Sequence, residues 1–190
     1  GEIEDGARGA SMKTLELPVR LLFVGRLDRA KGADRSVRVV AALRDRGVSA
    51  ELALVGDSPE RAEIEELASS VGVADRVAFR GWLPRTSLGD LYARAHVLLL
   101  PTASEGWPKV LSEAMASGAV PVCGAVSSIP QLLERFGCGR ALPWNDVEGM
   151  ARAVAEYAGQ PSLWREESAR AVEAARLFTY GEYLRAVRRH

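Results

Sequence analysis

From Arg20 onward, apolar runs of strand length alternate with longer stretches of helical periodicity, with short links between them. The strand candidates are Arg20–Val24, Glu51–Val55, Val77–Phe79, Val97–Leu100, Val120–Cys123 and Arg140–Leu142. Between and after them run helix candidates at Ala33–Arg46, Pro59–Val71, Ser87–Ala95, Pro108–Ser117, Ile129–Phe136 and Val147–Gly159. Gly47, Gly72 and Gly118 suit C-terminal caps, where a left-handed residue closes a helix. Asn145 and Asp146 suit helix starts. Beyond Pro161 only helical pattern follows, at Ser162–Leu177 and Gly181–His190. Such alternation predicts an α/β fold: a doubly wound parallel sheet of about six strands, helices on both faces and extra C-terminal helices. Residues 1–16 are rich in glycine and charge and lack periodicity. We therefore divide the chain into 1–19, an interdomain linker or a cloning remnant, and 20–190, one folded domain.

Composition narrows the classes of function. Among 190 residues, 25 basic and 25 acidic side chains cancel, so no electrostatic footprint for nucleic acid exists. The longest apolar runs are strand-sized, too short to cross a membrane as a helix. No N-terminal pattern resembles a secretion signal. Cys123 and Cys138 are the only cysteines, and a disulfide is not expected, which makes the cytoplasm the default location. His96 and His190 have no companion at ligand spacing, so no metal site is expected. The basic terminal helix, with Arg185, Arg188 and Arg189, reads as a solvated face, with peripheral membrane contact as the alternative.

The densest chemistry lies in Glu105-Gly-Trp-Pro-Lys-Val-Leu-Ser-Glu113. It holds two carboxylates with seven residues between them, immediately after a strand candidate. Glu105 falls in the strand-to-helix loop and Glu113 early on the next helix. Pro108 suits the first helical position, where no N–H is needed. The free N–H groups after it form an anion site, reinforced by the helix dipole. Carboxylates flanking such a site would repel a phosphate, but they accept hydrogen bonds from hydroxyls. Hydroxyls at both ends and phosphate between them describe a nucleotide sugar. Both carboxylates also have plainer readings: Glu105 as a helix-capping loop residue, Glu113 as a solvated helix residue.

A second loop agrees. Gly25-Arg26-Leu27-Asp28-Arg29-Ala30-Lys31-Gly32 also joins a strand candidate to a helix. In a parallel sheet the two loops open at one edge, where ligands of such folds bind. Arg26 and Lys31 there can hold a diphosphate through charge-assisted hydrogen bonds, and Gly32 lets the backbone come close. Each alone is equally an ordinary surface charge.

These residues resemble the C-terminal, donor-binding domain of retaining glycosyltransferases of the GT-B fold, group-1 type. The resemblance runs from Arg20 to the C-terminus. It is carried by the Gly25-Arg26-Leu27…Lys31-Gly32 loop, Val55-Gly-Asp-Ser-Pro59, Val77-Ala-Phe-Arg-Gly81-Trp-Leu-Pro84, the Glu105…Glu113 pair, and Glu113-Ala-Met-Ala-Ser-Gly118 before Val120-Pro-Val122. Five motifs in the right order are specific where one would be weak. The chain departs from the family at Ser127 and Ser128, where glycines are frequent, at Gln131 for Glu, and at His96 for Asp.

The resemblance implies a Rossmann-like fold and a UDP-, GDP- or ADP-sugar as donor substrate, with no cofactor and no metal. It implies catalytic roles for Arg26, Lys31 and Glu105. Binding would fall to Gly25, to Arg80, Gly81 and Leu83 at the base, to Gly106, Trp107, Pro108, Lys109 and Val110 along sugar and phosphate, and to Glu113 at the ribose. Trp107 also reads as a core anchor, and Arg80, Gly81 and Leu83 as a strand-end turn. As partner the resemblance implies an N-terminal acceptor-binding domain, without which the chain is the donor-binding half and inactive alone. Two alternatives stay open: a non-catalytic module that binds a sugar nucleotide, and a GT-B sugar-nucleotide epimerase.

Overall fold

The computed structural model describes residues 13–105 and 108–177. Gly106, Trp107 and the expected helix Gly181–His190 with its arginines lie outside the described residues.

Six strands form one sheet: β1 Val19–Val24, β2 Ala50–Val55, β3 Val77–Gly81, β4 Val97–Leu100, β5 Val120–Gly124 and β6 Arg140–Leu142. All pair in parallel, in the order β3-β2-β1-β4-β5-β6. The helices are α1 Ala33–Asp45, α2 Arg61–Ser70, α3 Gly89–Arg94, α4 Lys109–Ala116, α5 Ile129–Phe136, α6 Val147–Gly159 and α7 Pro161–Leu177. The alternation of strand and helix thus gives the doubly wound sheet it predicts.

A doubly wound sheet buries both faces, so central strands must be apolar on both sides. β4 shows this: its four residues, Val97 to Leu100, are all buried. Val97 and Leu99 enter one core, with Val37, Val40 and Leu43 of α1 and Met150, Val154 and Tyr157 of α6. Leu98 and Leu100 enter the other, with Leu111 and Met115 of α4, Leu133 of α5 and Ala171 and Ala174 of α7.

β1 and β4 lie side by side at the centre, with Leu21 opposite Val97 and Leu22 opposite Leu98. Chain order reverses between them. At such a switch point the loops leaving the two strands diverge and leave a crevice outside the carboxyl ends. The β1–α1 and β4–α4 loops flank that crevice. Gly32, at φ 89°, lets them touch: a Cβ here would sit 2.2 Å from the Pro101 carbonyl oxygen. The Arg35 Nε donates to the same oxygen at 2.8 Å.

The opposite end of β4 is tied down. His96 is fully buried, and its Nδ1 accepts from the Arg20 backbone N–H at 2.9 Å. Its Nε2 lies 3.0 Å from the Thr14 carbonyl, which makes Nε2 the protonated nitrogen. The Trp164 indole meets the imidazole edge-on at 5.4 Å and donates to the His96 carbonyl at 2.9 Å. Burial and the charge of Arg20 push the His96 pKa down to about 4. His96 is therefore a neutral structural group. Residues 13–15 also belong to the folded body: Leu15 is buried, and the Lys13 Nζ donates to the carbonyls of Tyr92 (3.1 Å) and Ala95 (2.6 Å).

Candidate functional site

The structure brings Lys31 and Glu105 together across the crevice. Lys31 Nζ donates to Glu105 Oε1 at 2.6 Å, and both side chains are half-buried. Arg26, mostly exposed, donates through Nε to Asp28 Oδ2 at 2.9 Å. Asp28 also accepts the Lys31 backbone N–H through Oδ1 at 2.9 Å, closing a tight turn. Burial pushes the Asp28 carboxyl up, but the Arg26 and Lys31 hydrogen bonds and charges outweigh it and hold its pKa below the ordinary value. One buried acid thus holds the Arg26 side chain and the Lys31 backbone.

Glu113 sits on α4, where Arg85 and Tyr92 reach it. The Tyr92 phenol donates to its Oε2 at 2.9 Å, and the Arg85 guanidinium bonds its Oε1. Burial, then the Glu113 charge, pushes the Tyr92 phenol well above its ordinary pKa, so it remains a donor. Helix α4 begins at Lys109, with Pro108 outside it at φ −75°, ψ 126°. The expected Pro at the first helical position is therefore one residue early: Pro108 is the extended residue before the helix, and its carbonyl receives Leu111 N–H at 3.0 Å. Pro108, the N-cap residue, supplies no side-chain cap, and Lys109 and Val110 begin the electropositive end of the helix.

The Glu105 backbone is anchored from β5–α5. Ser127 lies at φ 51°, in the left-handed region, and its Oγ donates to the Glu105 carbonyl. This explains the departure from glycine: the serine has a cost in backbone conformation but gains a bond to the loop.

Near the ends of β1, β2 and β3, a cleft of about 220 Å³ is lined by Gly25, Arg26, Gly56, Asp57, Trp82 and Leu83. The Gly81 carbonyl accepts the Gly56 N–H at 2.8 Å. Arg80 lines a different groove, over the β1–β3 sheet face with Arg20, Glu51 and Arg76. Leu83 and Gly25 therefore border this cleft, whereas Arg80 lies in the neighbouring groove.

Sequence reasoning missed Asp28, Arg85 and Tyr92. Asp28 carried a signal, since an Asp three residues before a turn N–H often caps it. Arg85 and Tyr92 carried none: they reach Glu113 from 28 and 21 residues away.

Residues 13–178 match the sequence model of the family "Glycosyl transferases group 1". The chain belongs to that family. It is 31% identical over 183 residues to a D-inositol 3-phosphate glycosyltransferase of Streptomyces griseus, covering 90% of this chain and 39% of that protein. It is 32% identical over 166 residues to the GDP-mannose-dependent alpha-(1-6)-phosphatidylinositol dimannoside mannosyltransferase of Mycobacterium tuberculosis, covering 86% of this chain and 42% of that one. The crystal structure of WaaG, a glycosyltransferase involved in lipopolysaccharide biosynthesis, superposes with a TM-score of 0.77 at 26% identity, over 98% of this chain and 50% of that one. The fold is the Rossmann-like one of the C-terminal domain of GT-B proteins of this family, and the chain spans about two-fifths of the length of the two relatives and half of WaaG.

Proposed function

We propose that this chain is the donor-binding half of a retaining glycosyltransferase, which takes a sugar from a nucleoside-diphosphate sugar to an acceptor bound by an N-terminal domain. The observation that carries the reading is the crevice at the β1/β4 switch point. Lys31 and Arg26 lie on the loop before α1, Glu105 on the loop before α4, and Glu113 on α4 itself, beyond that helix's N-terminus. The cations and the helix end supply positive potential for the diphosphate and for the charge that grows on it as it leaves. That work needs no divalent metal. Glu105 accepts from sugar hydroxyls and Glu113, steadied by Tyr92, from the ribose. Gly25 and Leu83 border the base. The enzyme works in the cytoplasm, where nucleotide sugars are made.

Calorimetry of the 190-residue chain with UDP-, GDP- and ADP-sugars, in chelator, tests this. Metal-free binding of one of them is expected, without transfer to an acceptor, because the effective molarity of a closed site is lost when half the cleft is missing. Strict dependence on a divalent ion, or binding of none, would sink the proposal. Restoring an N-terminal half should give turnover with retention at the anomeric carbon.

A further inference from the structure

The two residues assigned above to diphosphate and sugar are bonded to each other. Lys31 Nζ and Glu105 Oε1 are 2.6 Å apart, on loops 74 residues apart in sequence. Resting on the reading above, we infer that Glu105 makes the site favour an intact nucleotide sugar over the free nucleoside diphosphate, by recapturing Lys31 once the sugar has left.

The backbone that carries Glu105 is held beside Lys31. Ser127 holds the Glu105 backbone carbonyl, and Thr102 Oγ1 ties the same loop by donating to the Ser104 carbonyl at 3.0 Å. An anion that approaches Lys31 must therefore displace the Glu105 carboxylate or share the ammonium with it. Sharing sets two anions side by side in a half-buried crevice, where like charges repel.

An intact donor relieves that repulsion in two ways. Its sugar hydroxyls donate to Glu105, so the displaced carboxylate finds new partners. Its diphosphate is esterified at both ends and carries about two negative charges. The free nucleoside diphosphate has neither advantage. Its terminal phosphate has a second ionisation near about 6, which adds negative charge at neutral pH. With the hydroxyls gone, Glu105 is also left without donors. Re-forming the ion pair removes both penalties, and the leaving product is pushed from Lys31. Arg26 is not subject to this exchange, because its partner Asp28 is buried and bound to the loop backbone.

Calorimetry on the 190-residue chain decides the matter, using the matched pairs UDP and UDP-glucose, GDP and GDP-mannose, ADP and ADP-glucose. In the wild type, the sugar conjugate of the accepted base should bind more tightly than the free diphosphate. Glu105→Gln keeps the side-chain shape and removes the charge. It should strengthen free diphosphate binding about three- to fivefold, the scale of a partly exposed ion pair, and weaken the sugar conjugate. In a Lys31→Met background the same change should lose its gain. Free diphosphate binding that is unchanged or weaker in Glu105→Gln, in a domain that binds both ligands, overturns the inference and leaves the proposed function standing. So does a gain that persists in full without Lys31. A wild-type domain that binds none of the six ligands overturns the proposed function, and this inference with it.

Discussion

β4 has polar groups beyond both ends, and their situations differ. At its start, His96 is fully buried and every polar atom of the ring is satisfied by the chain itself. Past its end, Glu105 and Glu113 are partly exposed and bonded to cations or a phenol that a ligand could also engage. A group whose partners are backbone atoms is committed to the scaffold. A group whose partners are mobile side chains can exchange them. The difference separates stability from binding along one strand.

The comparison breaks first, if at all, at Trp164. Trp164→Ala should cost about 3–5 kcal/mol of stability, through the cavity and the lost bond to the His96 carbonyl. Denaturant unfolding measures it, and nucleotide affinity per folded molecule should hold.

Acid gives the next largest effect. The folded His96 pKa is about 4, against about 6.5 unfolded. Between these values the unfolded chain binds the extra proton, so stability rises with pH. Falling from about pH 6.5 to 4 should therefore cost roughly 3 kcal/mol. The Asp28 carboxyl, depressed when folded, should add its loss only lower, as pH falls through its folded value. Urea melts across this range should show the slope, and His96→Gln should abolish the upper part.

At the other end, Glu113→Ala should weaken nucleotide binding by about 1–3 kcal/mol, as expected for charged hydrogen bonds. Its effect on the unfolding midpoint should be small. A large stability loss with unchanged binding would place Glu113 in the scaffold instead. Tyr92→Phe, removing only the phenol donor, should lower affinity by about 0.5–1.5 kcal/mol. An unchanged isotherm would show that Glu113 needs no such support.

The sequence was most legible where pattern is local. β4, β6, α5 and α6 run over the residues that periodicity predicts. Differences fall at polar turns. α2 begins at Arg61 rather than Pro59, because the Ser58 hydroxyl takes the Glu60 N–H and its carbonyl the Arg61 N–H. The segment expected as one helix from Ser87 opens with a 3-10 turn at Arg85–Ser87 and becomes α-helical only from Gly89. In the candidate site, spacing singled out the Glu105 and Glu113 pair and the two strand-to-helix loops as candidates. It could not say that Lys31 would reach Glu105, or that Arg85 and Tyr92 would hold Glu113. Such pairings depend on how helices pack across the sheet, and no local pattern encodes them.

The burial of β4 on both faces has one more consequence. A half-exposed strand resists sliding, because a one-residue slip turns its apolar side to water. Val97-Leu-Leu-Leu100 has no such safeguard, since a slip would trade one aliphatic side chain for another in each core. Hydrophobicity alone therefore leaves the strand's position along its own axis degenerate. The polar clamps break that degeneracy: the Arg20–His96 bonds at one end and the Arg35 bond to Pro101 at the other. His96, at the opposite end of β4 from the candidate site, thus acts as the zero mark of a ruler, against which the loop bearing Glu105 is measured out.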